Sequence, residues 1–184
     1  SETKKEVKEC LVKYKLRPVE YLASFGFLGP RVILAHAVWL QEKEIKLLAK
    51  FGSSVVYNPV SNMKLASGIM PYQKLKNSGV NIILGTDGAS SNNNLDLWQE
   101  MKFASLLQKI SSKEPTALPA IECLKLATAN AERAFGLLIG QIKQNYLADL
   151  ILIDLDRAEF TPGYNLTSDL VYAASGSCVD TVIC

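Results

Sequence analysis

Three short apolar runs, each followed by a helical stretch, leave this chain few folds to adopt. They are Arg31 to His36 (Arg-Val-Ile-Leu-Ala-His), Ser54 to Tyr57, and Asn81 to Thr86, in which Ile82-Ile83-Leu84 has the β-branched character of a strand covered on both faces. Helical patterns follow each of them, at Gln41 to Phe51, Pro71 to Ser78 and Leu95 to Ile110, the last with Leu97, Met101, Ala104 and Leu107 on one side. Strand and helix alternating at this spacing predict an α/β fold of parallel strands joined by crossovers. Each run also leads into a polar residue: His36, Asn58 or Asp87. Sites in parallel α/β folds form at the carboxyl ends of the strands, so the three residues point to one rim.

Asp87 stands where the third run stops, within Gly85-Thr86-Asp87-Gly88-Ala89-Ser90-Ser91-Asn92-Asn93-Asn94. A strand interior would desolvate its charge at large cost, whereas a rim beside a cation or a polar ligand compensates that loss. Taken singly, these residues have plainer roles. Asp87 and Ser90 suit a turn and a helix cap, and Ser61-Asn62 and the Asn92 to Asn94 run suit turns. His36 alone fits a structural strand end, and Glu2 alone fits the charge preference of a helix N-terminus. Their order and spacing together favour a site.

Elsewhere, Thr3 to Tyr14 places Val7, Cys10, Leu11 and Tyr14 on one helical stripe. A second helix is expected from Pro18 through Val19, Leu22 and Phe25 to a stop at Gly26. In the helix ending at Gly52, Ile45, Leu48 and Ala49 face inward. Asn58 to Gly68 reads as a long polar loop. Beyond Pro115 come two helices, Pro119 to Thr128 and Ala129 to Phe135, a strand at Ala148 to Asp154, a short helix at Ser168 to Ala174 and a strand at Val179 to Cys184. No long crossover helix separates these last strands, which predicts a small β-rich unit beside the main one.

With 184 residues, 48% of them hydrophobic, there is material for a substantial core. The net charge of +2 comes from scattered residues, which argues against a nucleic-acid or anionic-membrane surface. Cys10, Cys123, Cys178 and Cys184 lack metal-type spacing and read as reduced, mostly buried thiols of a cytoplasmic protein. No apolar run is long enough to cross a bilayer, and no phosphate-binding glycine motif follows a strand. The chain opens on Ser1-Glu2-Thr3 without an initiator Met and closes directly after a strand-like run, so both ends read as cut from something longer.

Several motifs are specific in combination: Ser1-Glu2-Thr3 before a Lys/Glu helix, Leu34-Ala35-His36, Asn58-Pro59-Val60-Ser61-Asn62, Gly85-Thr86-Asp87-Gly88, Ala127-Thr128-Ala129-Asn130-Ala131 and Ala148-Asp149-Leu150. Over essentially its whole length the chain resembles the C-terminal half of an amidohydrolase-superfamily enzyme, most like the 5-methylthioadenosine/S-adenosylhomocysteine deaminases. The resemblance implies the later part of a (β/α)8 barrel, from the end of strand five through strand eight, over residues 1–137. It implies part of a small β-sandwich over residues 138–184. Gly140 to Leu147 replaces the family's usual turn before Ala148-Asp149.

The resemblance also implies roles for three residues. Asp87 matches the aspartate that binds the metal, contacts substrate and takes a proton from the attacking water. His36 matches the histidine that polarises the nucleophile or the developing tetrahedral centre, and Glu2 the acid that binds and protonates a purine ring nitrogen. One divalent metal is implied in the full-length protein, zinc with iron or manganese as alternatives, while the early His-x-His pair and the strand-five histidine are absent here. The implied reaction converts a purine nucleoside of the adenosine type to its inosine analogue and ammonia. This chain alone is expected to be inactive and to hold no metal tightly, since a catalytic site needs about three protein ligands. Alternatives are a guanine or cytosine deaminase, a chlorohydrolase-like enzyme, or a non-catalytic half-barrel whose open edges drive homo-oligomerisation.

Overall fold

In the computed structural model, which describes residues 1–184, the three apolar runs form strands β1 (Ile33–Ala35), β2 (Ser54–Tyr57) and β3 (Asn81–Leu84). They make one parallel sheet in the order β1-β2-β3, with Ile33 opposite Ser54 and Ser54 opposite Asn81. The parallel register brings all three carboxyl ends to one edge. Every residue of β3 is buried, whereas Ala35 of β1 is exposed, because no strand pairs with the outer edge of β1.

The helices are α1 (Lys4–Tyr14), α2 (Pro18–Ser24), α3 (Glu42–Phe51), α4 (Pro59–Lys64), α5 (Tyr72–Asn77), α6 (Ala89–Asn92), α7 (Leu97–Ser112), α8 (Ala120–Ala127), α9 (Asn130–Phe135) and α10 (Leu166–Tyr172). The termini have local causes. Thr3 caps α1 in a reciprocal box with Glu6, Pro18 occupies the first turn of α2, and Gly52 adopts the left-handed conformation that ends α3. The expected polar loop from Asn58 to Gly68 is instead headed by α4. Pro59 starts it, yet its 6 residues are too short to show an apolar period.

The main core joins Val55 and Tyr57 of β2, Ile82 and Leu84 of β3, Ile45 and Leu48 of α3, Leu75 of α5, Met101 and Ala104 of α7 and Cys123 of α8. Val171 of α10 belongs to the same cluster, so this segment of the tail packs on α7 and α8. Three expected stripes are only partly covered. On α1, Val7 is buried but Leu11 and Tyr14 are exposed, and on α2 Phe25 lies beyond the helix in solvent. On α7 Leu97 is exposed. The buried side there carries Glu100, Ser105 and Gln108 beside Met101 and Ala104, because each polar group finds a partner inside.

Strands β4 (Leu150–Ile153) and β5 (Val179–Ile183) pair antiparallel as a separate two-stranded ribbon. Ile151, Leu152, Val182 and Ile183 all remain exposed on it. All four cysteines are free; Cys123 and Cys178 are buried, Cys10 is half-buried and Cys184 is exposed. No helix is long and apolar enough to cross a membrane.

Candidate active site

Immediately after β1 the chain turns sharply through His36 (φ 67°) and Ala37 (φ 49°), and after β3 through Asp87 (φ 61°). Left-handed backbone at such residues costs about 1–3 kcal/mol each and persists only where the surroundings enforce it. Here the enforcing bonds are visible. The His36 amide donates to Val56 O at 2.9 Å, continuing the ladder one residue past β1, and the Gly85 amide donates to Tyr57 O at 3.1 Å. A Cβ at Gly85 would lie 2.6 Å from Val56 Cγ1 and 2.8 Å from Asn58 Oδ1, so glycine alone permits this approach of β3 to β2.

Glu2 reaches the same place from another part of the chain. The Ser1 carbonyl accepts from the Val38 and Trp39 amides at 3.1 and 3.2 Å, which lays the segment alongside the turn after β1. Glu6 accepts from the Glu2 and Thr3 amides, and Ser67 Oγ donates to Glu2 Oε1 at 2.7 Å. Trp39 Nε1 in turn donates to Ser67 O at 2.7 Å.

The three residues therefore converge. His36 Nε2 lies 3.7 Å from Glu2 Oε2 and 3.9 Å from Asp87 Oδ2. On the other side of the ring, Nδ1 is 2.9 Å from Asn62 Oδ1. Asn58 Nδ2 also lies 3.5 Å from Nδ1; a proton on Nδ1 serves the shorter Asn62 contact, and Nε2 faces the two carboxylates. A cation or a protonated ligand between the groups would offset the negative charge that the two carboxylates bring to this face of the ring.

Asp87 Oδ2 accepts from Ser61 Oγ at 2.6 Å and Ser91 Oγ at 2.7 Å. The Ser61 bond above all holds its carboxyl below the usual carboxylate range, against the opposing effect of burial. An ionised carboxylate and an imidazole nitrogen are donors suited to a divalent cation. No group of three or more His, Cys, Asp or Glu side chains in the chain could hold one, however, so these residues fit part of a coordination sphere. The groups sit on a rim. A separate concavity of about 360 Å³ lies away from them, around Asn81 at the amino end of β3.

Most supporting groups were hidden in stretches that look like turn chemistry. Ser61 and Asn62 lie on α4, where Asn62 is buried and meets His36 while Ser61 meets Asp87. Asn92 of α6, from the asparagine run, donates to Thr86 O at 2.7 Å and to Glu100 Oε1 at 2.6 Å. Glu100 and Ser67 carried no sequence signal beyond their helix and loop. A Pro after Asn58 was the one clue that the polar segment begins as a helix.

The chain matches the Amidohydrolase family over residues 1–184. It is 52% identical over 184 residues to the 5'-deoxyadenosine deaminase of Methanothermobacter thermautotrophicus, covering 100% of this chain and 43% of that protein. It is 49% identical over 183 residues to the 5-methylthioadenosine/S-adenosylhomocysteine deaminase of Thermococcus onnurineus, again covering 43% of the relative. Among solved structures it resembles an adenosine deaminase from Xanthomonas campestris with bound zinc, with TM-score 0.95 and 41% identity, over 99% of this chain and 42% of the other. A guanine deaminase from C. acetobutylicum with bound guanine is also similar, with TM-score 0.88 and 27% identity, over 100% of this chain and 45% of that one. The chain thus spans less than half the length of the relatives it matches. By the match to the family over its whole length, and with the α/β architecture that its structural neighbours share, this chain belongs to the amidohydrolase family.

Proposed function

We propose that the full-length parent protein is a metal-dependent hydrolytic deaminase of adenosine-type nucleosides with a modified 5' position, and that this chain supplies the later rim of its active site. In this reading residues 1–137 complete a (β/α)8 barrel and residues 138–184 contribute to a small β-sandwich. The convergence of Glu2, His36 and Asp87 from three separate elements carries the proposal. The deaminase relatives support the substrate class.

Asp87 would be this chain's ligand to a divalent cation, zinc by analogy with the Xanthomonas neighbour, with iron or manganese as alternatives; the remaining ligands would come from outside these residues. When bound, such an ion makes water acidic enough to attack at neutral pH. Asp87, held ionised by Ser61 and Ser91, takes the proton of the attacking water. His36, oriented by Asn62, faces the developing tetrahedral centre through Nε2. Glu2, with Oε1 fixed by Ser67, offers Oε2 to a purine ring nitrogen and protonates it as the carbon becomes tetrahedral. Asp87 then gives its proton to the amino group, which leaves as ammonia as the C–N bond breaks, and the hydroxyl proton released as the carbonyl forms replaces the one Glu2 gave, leaving the inosine analogue.

The test is ammonia release by the zinc-loaded parent from 5'-deoxyadenosine, 5-methylthioadenosine and S-adenosylhomocysteine. Turnover of at least one supports the proposal. Release from guanine or a cytosine-type base alone would move the substrate, and no release from any purine nucleoside would end the claim.

A second reading rests on the exposed apolar ribbon and the unpaired edge of β1. Expressed by itself, the chain should be inactive and should self-associate through these surfaces. Light scattering that finds a soluble monomer of 20.2 kDa would sink this reading.

A further inference from the structure

Glu100, on α7, lies outside the three groups above and no solvent reaches it. A carboxyl buried this far from water must find donors, and it finds two on different elements. Oε1 accepts from Asn92 Nδ2 at 2.6 Å, and Oε2 accepts from the Val60 amide at 3.2 Å. Val60 is the second residue of α4, whose N-cap Asn58 makes no side-chain cap bond, so α7 provides an acceptor that the helix itself lacks.

The other donor leads to Asp87. Asn92 Nδ2 also donates to the carbonyl of Thr86, the residue before Asp87. Asn92 Oδ1 is buried without a partner, so the amide is oriented by what its nitrogen donates to. Burial pushes the Glu100 carboxyl up to about 7, while the Val60 and Asn92 bonds pull the other way. Both contacts require an acceptor at each oxygen.

We propose that Glu100 is a positioning residue: its two oxygens tie the start of α4 to the Asp87 turn, setting the Ser61–Asp87 contact and hence how that carboxylate faces His36. The placement itself is independent of the deaminase reading; the consequence for turnover rests on it. Lys64, bonded to Ser90 O and Asn93 Oδ1 from the solvent side, clasps the same two segments and leaves Glu100 as the inner tie.

Glutamine nearly matches the shape of glutamate but has one acceptor and one donor. In Glu100→Gln the new amide faces either the Val60 N–H or the Asn92 Nδ2, donor against donor, and if Asn92 flips to offer Oδ1 instead, Thr86 O loses its donor, so one tie breaks in every case with little change in packing. Ser105→Ala, on the same helix, is the control: Ser105 is buried but bonds Leu118 O and Tyr172, away from the rim.

In the full-length parent, Glu100→Gln should raise amide exchange over residues 58–62 and 86–92 by about tenfold or more. It should lower kcat on the adenosine-type substrate by about 30-fold or more, with KM within about threefold. Ser105→Ala should do neither. Adding Asn92→Asp to Glu100→Gln reverses donor and acceptor across the pair and should recover part of the lost exchange protection, even though Thr86 O loses its donor.

Unchanged exchange in Glu100→Gln overturns the proposal. So does slowed turnover that Ser105→Ala reproduces, or faster exchange with undiminished kcat. If the unaltered parent releases no ammonia, the deaminase reading fails, and the exchange measurement still decides whether Glu100 ties the two segments.

Discussion

The β1-β2-β3 sheet and the β4-β5 ribbon are composed of the same kinds of residue and end in opposite environments. Val55, Ile82 and Leu84 are buried under helices, while Ile151, Leu152 and Val182 stand in solvent. Local preference for extended backbone is shared by both. Burial is decided by neighbours: β3 is packed by α5, α7, α8 and α9, whereas β4 and β5 pack chiefly on each other. The sheet thereby becomes a rigid support that can hold His36 and Asp87 in strained backbone at its rim, which the ribbon could not do.

If the sheet's rim carries the chemistry, Asp87→Ala in the full-length parent should lower ammonia release by about a thousandfold or more, equivalent to about 4 kcal/mol of barrier. Activity within tenfold of the parent would remove Asp87 from the reaction and leave the rim no more functional than the ribbon.

The next largest effect sharpens the energetic side. Leu75 of α5 is wholly buried in the core. Leu75→Ala should cost about 2–5 kcal/mol in urea unfolding of the parent. A loss below about 1 kcal/mol would mean that the core under β3 is far looser than its packing indicates.

A pH experiment separates the buried tie from the rim. Glutamate ordinarily titrates near 4.5, and burial pushes Glu100 up to about 7. Because the folded value is raised, the folded state holds the proton more tightly. The associated stability is in place at acid pH and is lost as pH rises from about 4.5 through about 7, by on the order of 3 kcal/mol at most. Glu100→Gln lacks this titration, so the variant should gain on the parent between pH 5 and pH 8 in unfolding midpoints. A gap that does not change with pH would show that Glu100 titrates as an ordinary surface glutamate.

The smallest effect belongs to the ribbon. For the chain expressed alone and kept monomeric by dilution, Leu152→Ala should change stability by no more than about 0.5 kcal/mol, because the side chain is already half in solvent. A cost approaching that of Leu75→Ala would mean that the ribbon is covered in solution, as the association reading requires.

Element type was legible wherever the residues carried a period. Ser54 to Tyr57 is the strand it promised to be, and Asn81 to Leu84 forms the buried strand with Asp87 just past its end. The buried polar side of α7 was not legible, since Glu100, Ser105 and Gln108 look like solvent-facing residues until their partners on other elements are known. The support of the site was missed for a related reason. Asn62 and Ser61 mean turn or cap by local statistics, and only a short helix beyond β2 turns one toward His36 and the other toward Asp87.

What the amino-acid order determined by itself is the alternation of strands and helices, their parallel sense, and the rule that His36, Asn58 and Asp87 emerge at one edge. These follow from side-chain periodicity and crossover geometry, which act over a few residues at a time. Resemblance alone had matched Glu2 to the site; only the tertiary structure decided which contacts bring it to His36, that His36 presents Nε2 rather than Nδ1 to the two carboxylates, and that a buried Glu100 binds α4 to the Asp87 turn. Most of these choices rest on partners 26 to 65 residues apart, and Asn92 and Glu100, 8 apart, lie on separate helices, so no local preference encodes which donor meets which acceptor.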